Sequence, residues 1–269
     1  MSLHVRPAAV AGMFYPESAA ILAQDIAQMI LAVPQRMAVC PKAIIVPHAG
    51  FVYSGPIAAS VYAHLLASRG AIRRVVLLGP THRVAVNGLA LPSSTAFATP
   101  LGIVPLDQDA IATIADLPPV VVFEETHARE HSLEVQLPFL QTVIDSFSLV
   151  PLAVGDTSPE QVAEVLERLW GGEETLIVIS SDLSHYLPYS VARRIDAQTA
   201  QQILELDPSL DHRQACGATP INGLLLAARK HGLSAQLVDL RNSGDTAGDK
   251  ARVVGYGAFA FLEAKQHVH

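Results

Sequence analysis

Three short apolar runs, each followed closely by a histidine, constrain this chain more than any other feature. Ala43-Ile44-Ile45-Val46 leads into Pro47-His48-Ala49-Gly50, and Val75-Val76-Leu77-Leu78 leads into Gly79-Pro80-Thr81-His82. Leu176-Ile177-Val178-Ile179 leads into Ser180-Ser181-Asp182-Leu183-Ser184-His185. Runs this short and this apolar, separated by helical periodicity, read as parallel strands buried on both faces. In open α/β sheets the carboxyl ends of such strands line the ligand crevice. A ring nitrogen placed there three times predicts a site rather than packing. Cys216, at the start of a helical pattern, is the soft fourth member if a metal is involved.

The rest of the chain alternates in the same way. Strands are predicted near 42–46, 74–79, 148–154 and 175–180, with a closing pair near 235–241 and 252–262. Helices are predicted near 56–68, 107–115, 132–144, 158–170, 189–206 and 218–231. Leu89 to Pro105 carries Ser, Thr and Pro punctuation and reads as a β-rich insertion. Pro138 predicts a kink or an early stop in its helix. The alternation argues one three-layer α/β domain over residues 1–269, with a mainly parallel central sheet.

Composition narrows the function classes. Of 269 residues half are apolar, enough for one large core. The net charge of −7 comes without any basic run, which argues against a nucleic-acid partner. No apolar run approaches the ~18–20 residues that span a bilayer, and the start of the chain lacks a signal-peptide pattern. Two cysteines make no disulfide framework, so a cytoplasmic setting with reduced thiols is the expectation. His267 and His269 lie in a polar tail and are expected to face solvent.

A neutral imidazole is the commonest transition-metal ligand near neutral pH. Added to it, a thiolate favours Fe, Cu or Zn over Mg or Ca. Asp182, three residues before His185, suits orienting that imidazole for acid–base work, and suits equally a turn-capping role. His127-Ala128-Arg129-Glu130-His131 matches the pattern H-x-x-E-H. That motif needs a helix continuous through both histidines, whereas the helical pattern begins near Ser132, so His127 is not expected to be a ligand. His131 and Glu134 can face the crevice, or mark a helix start where Glu134 meets the helix dipole. No glycine-rich phosphate loop and no G-x-S-x-G elbow is present. Asn242-Ser243-Gly244-Asp245 and Gly248-Asp249 read as turn chemistry, with lining of the pocket as the alternative, and Cys40 as a small apolar residue.

At these motifs the chain resembles the Memo family, the Memo-like component of AmmeMemoRadiSam systems. The matching segments are Ala11-Gly12-Met13-Phe14-Tyr15-Pro16, Val46 to Gly50 with Tyr53-Ser54-Gly55, and Leu78 to His82. Further on come Glu130-His131-Ser132-Leu133-Glu134 with Gln136-Leu137-Pro138, Ser180 to His185, Cys216-Gly217 with Pro220-Ile221, and Val254 to Ala258. The resemblance implies a fold like that of class III extradiol (LigB-type) dioxygenases. It implies His48 and His82 as metal ligands, with Cys216 where the dioxygenases place a carboxylate. It also implies His185 in the place of the acid–base histidine, for which Asp182 is the candidate partner; His131 and Tyr53 are the candidate substrate contacts. Fe(II) or Cu is the implied metal, with Zn as a further option. A thiolate in place of the carboxylate changes charge and redox potential, which departs from extradiol chemistry. Two functions follow as expectations. One is a metal-dependent oxidoreductase with a small molecule or peptide in its pocket. The other is a non-enzymatic module that binds a peptide or protein, such as another AmmeMemoRadiSam component.

Overall fold

The computed structural model describes residues 4–34 and 39–263; His267 and His269 fall outside them. Twelve strands run through the described residues: β1 (Val5–Arg6), β2 (Ala43–Val46), β3 (Arg74–Pro80), β4 (Leu89–Leu91), β5 (Ala96–Thr99), β6 (Gly102–Pro105), β7 (Val120–Val122), β8 (Ser148–Val154), β9 (Thr175–Ser180), β10 (His185–Leu187), β11 (Leu233–Asn242) and β12 (Val253–Glu263). The helices are α1 (Ala19–Leu31), α2 (Phe51–Tyr62), α3 (Gln108–Ala112), α4 (Glu124–Ala128), α5 (Leu137–Val143), α6 (Pro159–Leu169), α7 (Tyr189–Leu204), α8 (Ala218–Lys230) and α9 (Ser243–Thr246).

Four strands with apolar centres, β2, β9, β3 and β8, lie side by side and parallel. Antiparallel β12 and β11 extend the sheet beyond β2, and antiparallel β4 extends it beyond β8. β10 pairs with the start of β12, while β1, β5 and β6 form a small sheet apart. Alternation along the strands sorts the core into two layers. Ile44, Val46, Val75, Leu77 and Val178 pack with α1, α2 and α5; Ile45, Val76, Leu78, Ile177 and Ile179 pack with α6 and α8. Each such side chain contributes roughly 1.5–3 kcal/mol by leaving water, so the parallel strands anchor the fold and hold their carboxyl ends still. This is the three-layer α/β architecture that the alternation predicts.

Three local differences have physical causes. α1 has no counterpart among the predicted elements, although Leu22, Ile26 and Ile30 recur at helical spacing and are buried. α2 begins at Phe51 rather than Pro56, which leaves Pro56 inside the helix. The carbonyl that thereby loses its donor belongs to Val52, an exposed residue where water can serve. Pro138 neither kinks nor stops a helix. It sits in the first turn of α5, where its missing N–H has no intrahelical role. Among the described residues no helix is long and apolar enough to cross a membrane.

Candidate metal centre

Sheet order brings the site together. β9 lies between β2 and β3, so the segments that leave these three strands open at one edge. His48 follows β2 by two residues and His82 follows β3 by two. Asp182, two residues past β9, accepts the His48 backbone N–H at 2.7 Å on its Oδ1 and so fixes one loop to the next. Behind Asp182, Gly217 N donates to Ser181 Oγ at 2.9 Å. A Cβ on Gly217 would come within 2.7 Å of the Ser181 Cβ, so glycine is what permits this approach. The approach seats Cys216 beside His48, with Sγ 3.4 Å from Nε2.

The hydrogen-bond network settles which nitrogen of His48 carries the proton. Ser180 Oγ donates its one hydrogen to Ser132 O at 2.6 Å and accepts from Gln136 Nε2 at 2.8 Å. Gln136 is itself oriented by Tyr62, whose hydroxyl donates to Oε1 at 2.9 Å. Ser180 therefore has only a lone pair for His48 Nδ1, 2.9 Å away, and Nδ1 must be the protonated nitrogen. Nε2 is left with its lone pair towards the cavity side. Burial, reinforced by the neighbouring histidines His82, His131 and His185, holds the His48 pKa well below its ordinary value. The ring is thus in its neutral, ligating form.

His82 is set by a carboxylate. Glu130 Oε1 accepts from His82 Nδ1 at 2.8 Å, and Oε2 accepts the His82 backbone N–H at 2.5 Å. The backbone N–H groups of His131 and Ser132 also reach Oε1, each at 3.0 Å. Burial pushes the Glu130 pKa up, but these hydrogen bonds and the His82 ring overcome it and leave the carboxyl at about 2. A carboxylate on Nδ1 turns His82 Nε2 outward, the arrangement found behind many metal-ligating histidines. His131 has its Nδ1 3.2 Å from the same Oε1, without hydrogen-bond geometry. Burial lowers its pKa to about 4, so it too is neutral.

The His48 ring meets the other two edge to face, while His82 and His131 lie 4.6 Å apart, tilted by 30°. His48 lies 5.2 Å from His82 and 5.4 Å from His131, centre to centre, at near-perpendicular angles. One ring nitrogen from each of His48, His82 and His131 lies within 4.8 Å of the other two. Metal–nitrogen bonds of about 2.0–2.1 Å set two donors on one tetrahedral ion ~3.4 Å apart, so the rings would close inward on binding; three imidazoles are the nitrogen donors that such ions take. The donor set therefore fits a transition metal. Cys216 contacts His48 but is not part of this mutually close set. Burial, then the Asp182 charge, raises its thiol to about 12, so without a metal it is protonated.

These rings form one wall of a cavity of about 830 Å³, which Tyr53, Asp182, His185 and Tyr256 also line. Burial raises Asp182 to about 7 and lowers His185. Ser243, Ala247, Gly248 and Asp249 line the same cavity, so the alternative to plain turn chemistry holds for this segment. His127 stands elsewhere, with its Nε2 2.8 Å from Ala90 O. α4 ends at Ala128, so no helix joins His127 to His131. Glu134 is not at the cavity either. It is fully buried against Arg6 at 2.6 Å and also accepts from Val10 N and the Tyr15 hydroxyl. That anchor holds the N-terminal segment so that Phe14 packs on His131, with ring centres 4.6 Å apart. Glu130, Ser180 and Gln136 have orienting roles that no sequence spacing announces; the one signal is Glu130 directly preceding His131.

Fold and site together define a class: a three-layer α/β protein with an imidazole-walled cavity at the carboxyl ends of its parallel strands. The family follows from comparison with known proteins. The family described as Memo-like protein matches residues 6–260. A MEMO1 family protein of Ignicoccus hospitalis is 37% identical over 96% of this chain and 98% of its own. Another, of Aquifex aeolicus, is 36% identical over 97% of this chain and 100% of its own. One of Methanosarcina barkeri is 37% identical over 94% and 98%. This chain belongs to the Memo family. Among solved structures, an uncharacterized protein from Escherichia coli K12 aligns with a TM-score of 0.48 at 13% identity, over 80% of this chain and 98% of that one.

Proposed function

We propose that this protein is a transition-metal-dependent oxidoreductase that acts on a small organic molecule. The observation that carries the reading is the trio His48, His82 and His131, neutral or carboxylate-backed, on the wall of a ligand-sized cavity. Nitrogen donors of this kind suit Fe(II), Cu or Zn, and the first two supply redox chemistry when bound. His48 and His82 present oriented nitrogens through Ser180 and Glu130. Asp182, at about 7, can give or take a proton near neutral pH, and His185 offers a neutral base on the wall of the same cavity.

A second ligand set is favoured by one distance. The 3.4 Å between Cys216 Sγ and His48 Nε2 is what two donors on one tetrahedral metal would show, given bonds of ~2.3 and ~2.0 Å. In that set Cys216 replaces His131 and loses its proton on binding. Metal analysis of protein purified without chelator tests both sets, followed by oxygen uptake with ascorbate. Near-stoichiometric Fe or Cu and oxygen consumption above the free-metal control are expected. Stoichiometric metal without turnover would support a binding role instead, and no metal at all would refute the reading.

A further inference from the structure

We propose that the mouth of the cavity selects a small organic anion with an apolar body, and that Arg252 is the residue that reads the anion. The inference rests on the cavity being a ligand site, as the proposed function holds.

Arg252 lines the cavity, with its guanidinium 5.3 Å from the centre of the Tyr186 ring. It takes part in none of the ion pairs among the described residues. Asp249 shares the rim, but its Oδ1 accepts the Ala251 backbone N–H at 2.7 Å and its carboxylate is not within ion-pair reach of Arg252. A chain of net charge −7 thus sets a guanidinium that is in no ion pair over a tyrosine ring at the edge of an imidazole-walled cavity.

Packing does not account for this arrangement. Tyr186 is 62% exposed, and its backbone is left-handed at φ +58, a conformation costly for a bulky residue. Strain of that kind persists where it positions something. Here it places a flat ring under the guanidinium, which leaves the fork free for a carboxylate. Inside the mouth Met13, Phe14, Tyr53 and Tyr256 offer apolar and aromatic walls. A ligand with a flat apolar body and one anionic end fits both parts.

The test uses benzoate, benzamide and phenyl phosphate, titrated by ligand-observed NMR into the parent, Arg252→Ala and Arg252→Lys. Each is measured metal-loaded and after chelation. A charge-assisted contact at a partly wet mouth predicts benzoate binding about tenfold tighter than benzamide. Arg252→Ala should abolish that preference, Arg252→Lys should keep part of it, and thermal melts should be unchanged for both. Phenyl phosphate bound more tightly than benzoate would place the preferred anion among phosphates. Equal binding of benzoate and benzamide by the parent, or binding of neither, overturns the proposal. So does a preference that survives Arg252→Ala and vanishes on chelation, since the anion would then sit on the metal. A preference lost in Arg252→Ala in a protein that binds no metal would sink the oxidoreductase reading and leave this one standing.

Discussion

Replacing Glu130 with Gln should loosen metal binding without unfolding the protein. The carboxylate accepts four N–H groups: His82 N on Oε2, and His82 Nδ1, His131 N and Ser132 N on Oε1. Gln offers one oxygen and one NH2. With the oxygen in the Oε1 position three bonds survive, and the NH2 then confronts the His82 backbone N–H. The reverse flip opposes three donors, so the first is the lower in energy. One lost, part-buried hydrogen bond costs about 1–3 kcal/mol of folding free energy. The His82 ring also loses the charge that fixes its Nδ1–H. Outer-sphere changes of this kind cost about 10- to 100-fold in metal affinity, or roughly 1.4–2.8 kcal/mol. Co(II) titration followed by its visible spectrum, alongside thermal melts, reads both quantities. Affinity within twofold of the parent, at any change in stability, would refute the claim that Glu130 orients His82 for a metal.

His131→Ala and Cys216→Ser separate the two ligand sets: the one built on His131 predicts at least a tenfold affinity loss in His131→Ala and a small one in Cys216→Ser, as isothermal titration with Zn(II) would show, and the reverse order selects the thiolate set. Asp196, buried with its Oδ1 accepting Ser184 N at 3.1 Å, is raised by burial from its ordinary 3.8 to about 6. A raised carboxyl stabilises the fold below the unfolded pKa and loses that contribution as pH climbs through the folded one. Chemical denaturation of the parent should therefore weaken by at most roughly 3 kcal/mol between pH 4 and 7 relative to Asp196→Asn, and parallel curves for the two would refute this. Gly217→Ala should push the Cys216 loop off Ser181, cost about 1–3 kcal/mol in thermal stability through overpacking, and alter metal affinity if Cys216 ligates; an unchanged melt would show that the loop yields freely.

The sequence by itself determined the sheet and the edge at which chemistry gathers. Runs such as Ala43–Val46 and Leu176–Ile179 are too short and too uniformly apolar to be anything but buried strands once helical stretches separate them. Parallel strands then put His48, His82 and Asp182 at one edge, because every such strand ends on the same side. Helix ends were less legible, since Pro56 and Pro138 mark opposite positions in their helices and only packing decides which. The sequence put His131 at the crevice as a substrate contact, but its place in the close nitrogen trio was beyond sequence reach. His131 follows no strand of the parallel core; it joins His48 and His82 because the Arg6–Glu134 anchor and the Glu130 hydrogen bonds fold its segment across the strand ends. The proton positions likewise depend on Ser180, Gln136 and Tyr62, which lie far apart in the chain and meet only through packing. Local periodicity fixes which residues are buried and on which side. Which buried polar groups meet is decided by long-range contacts, and a one-dimensional pattern does not encode them.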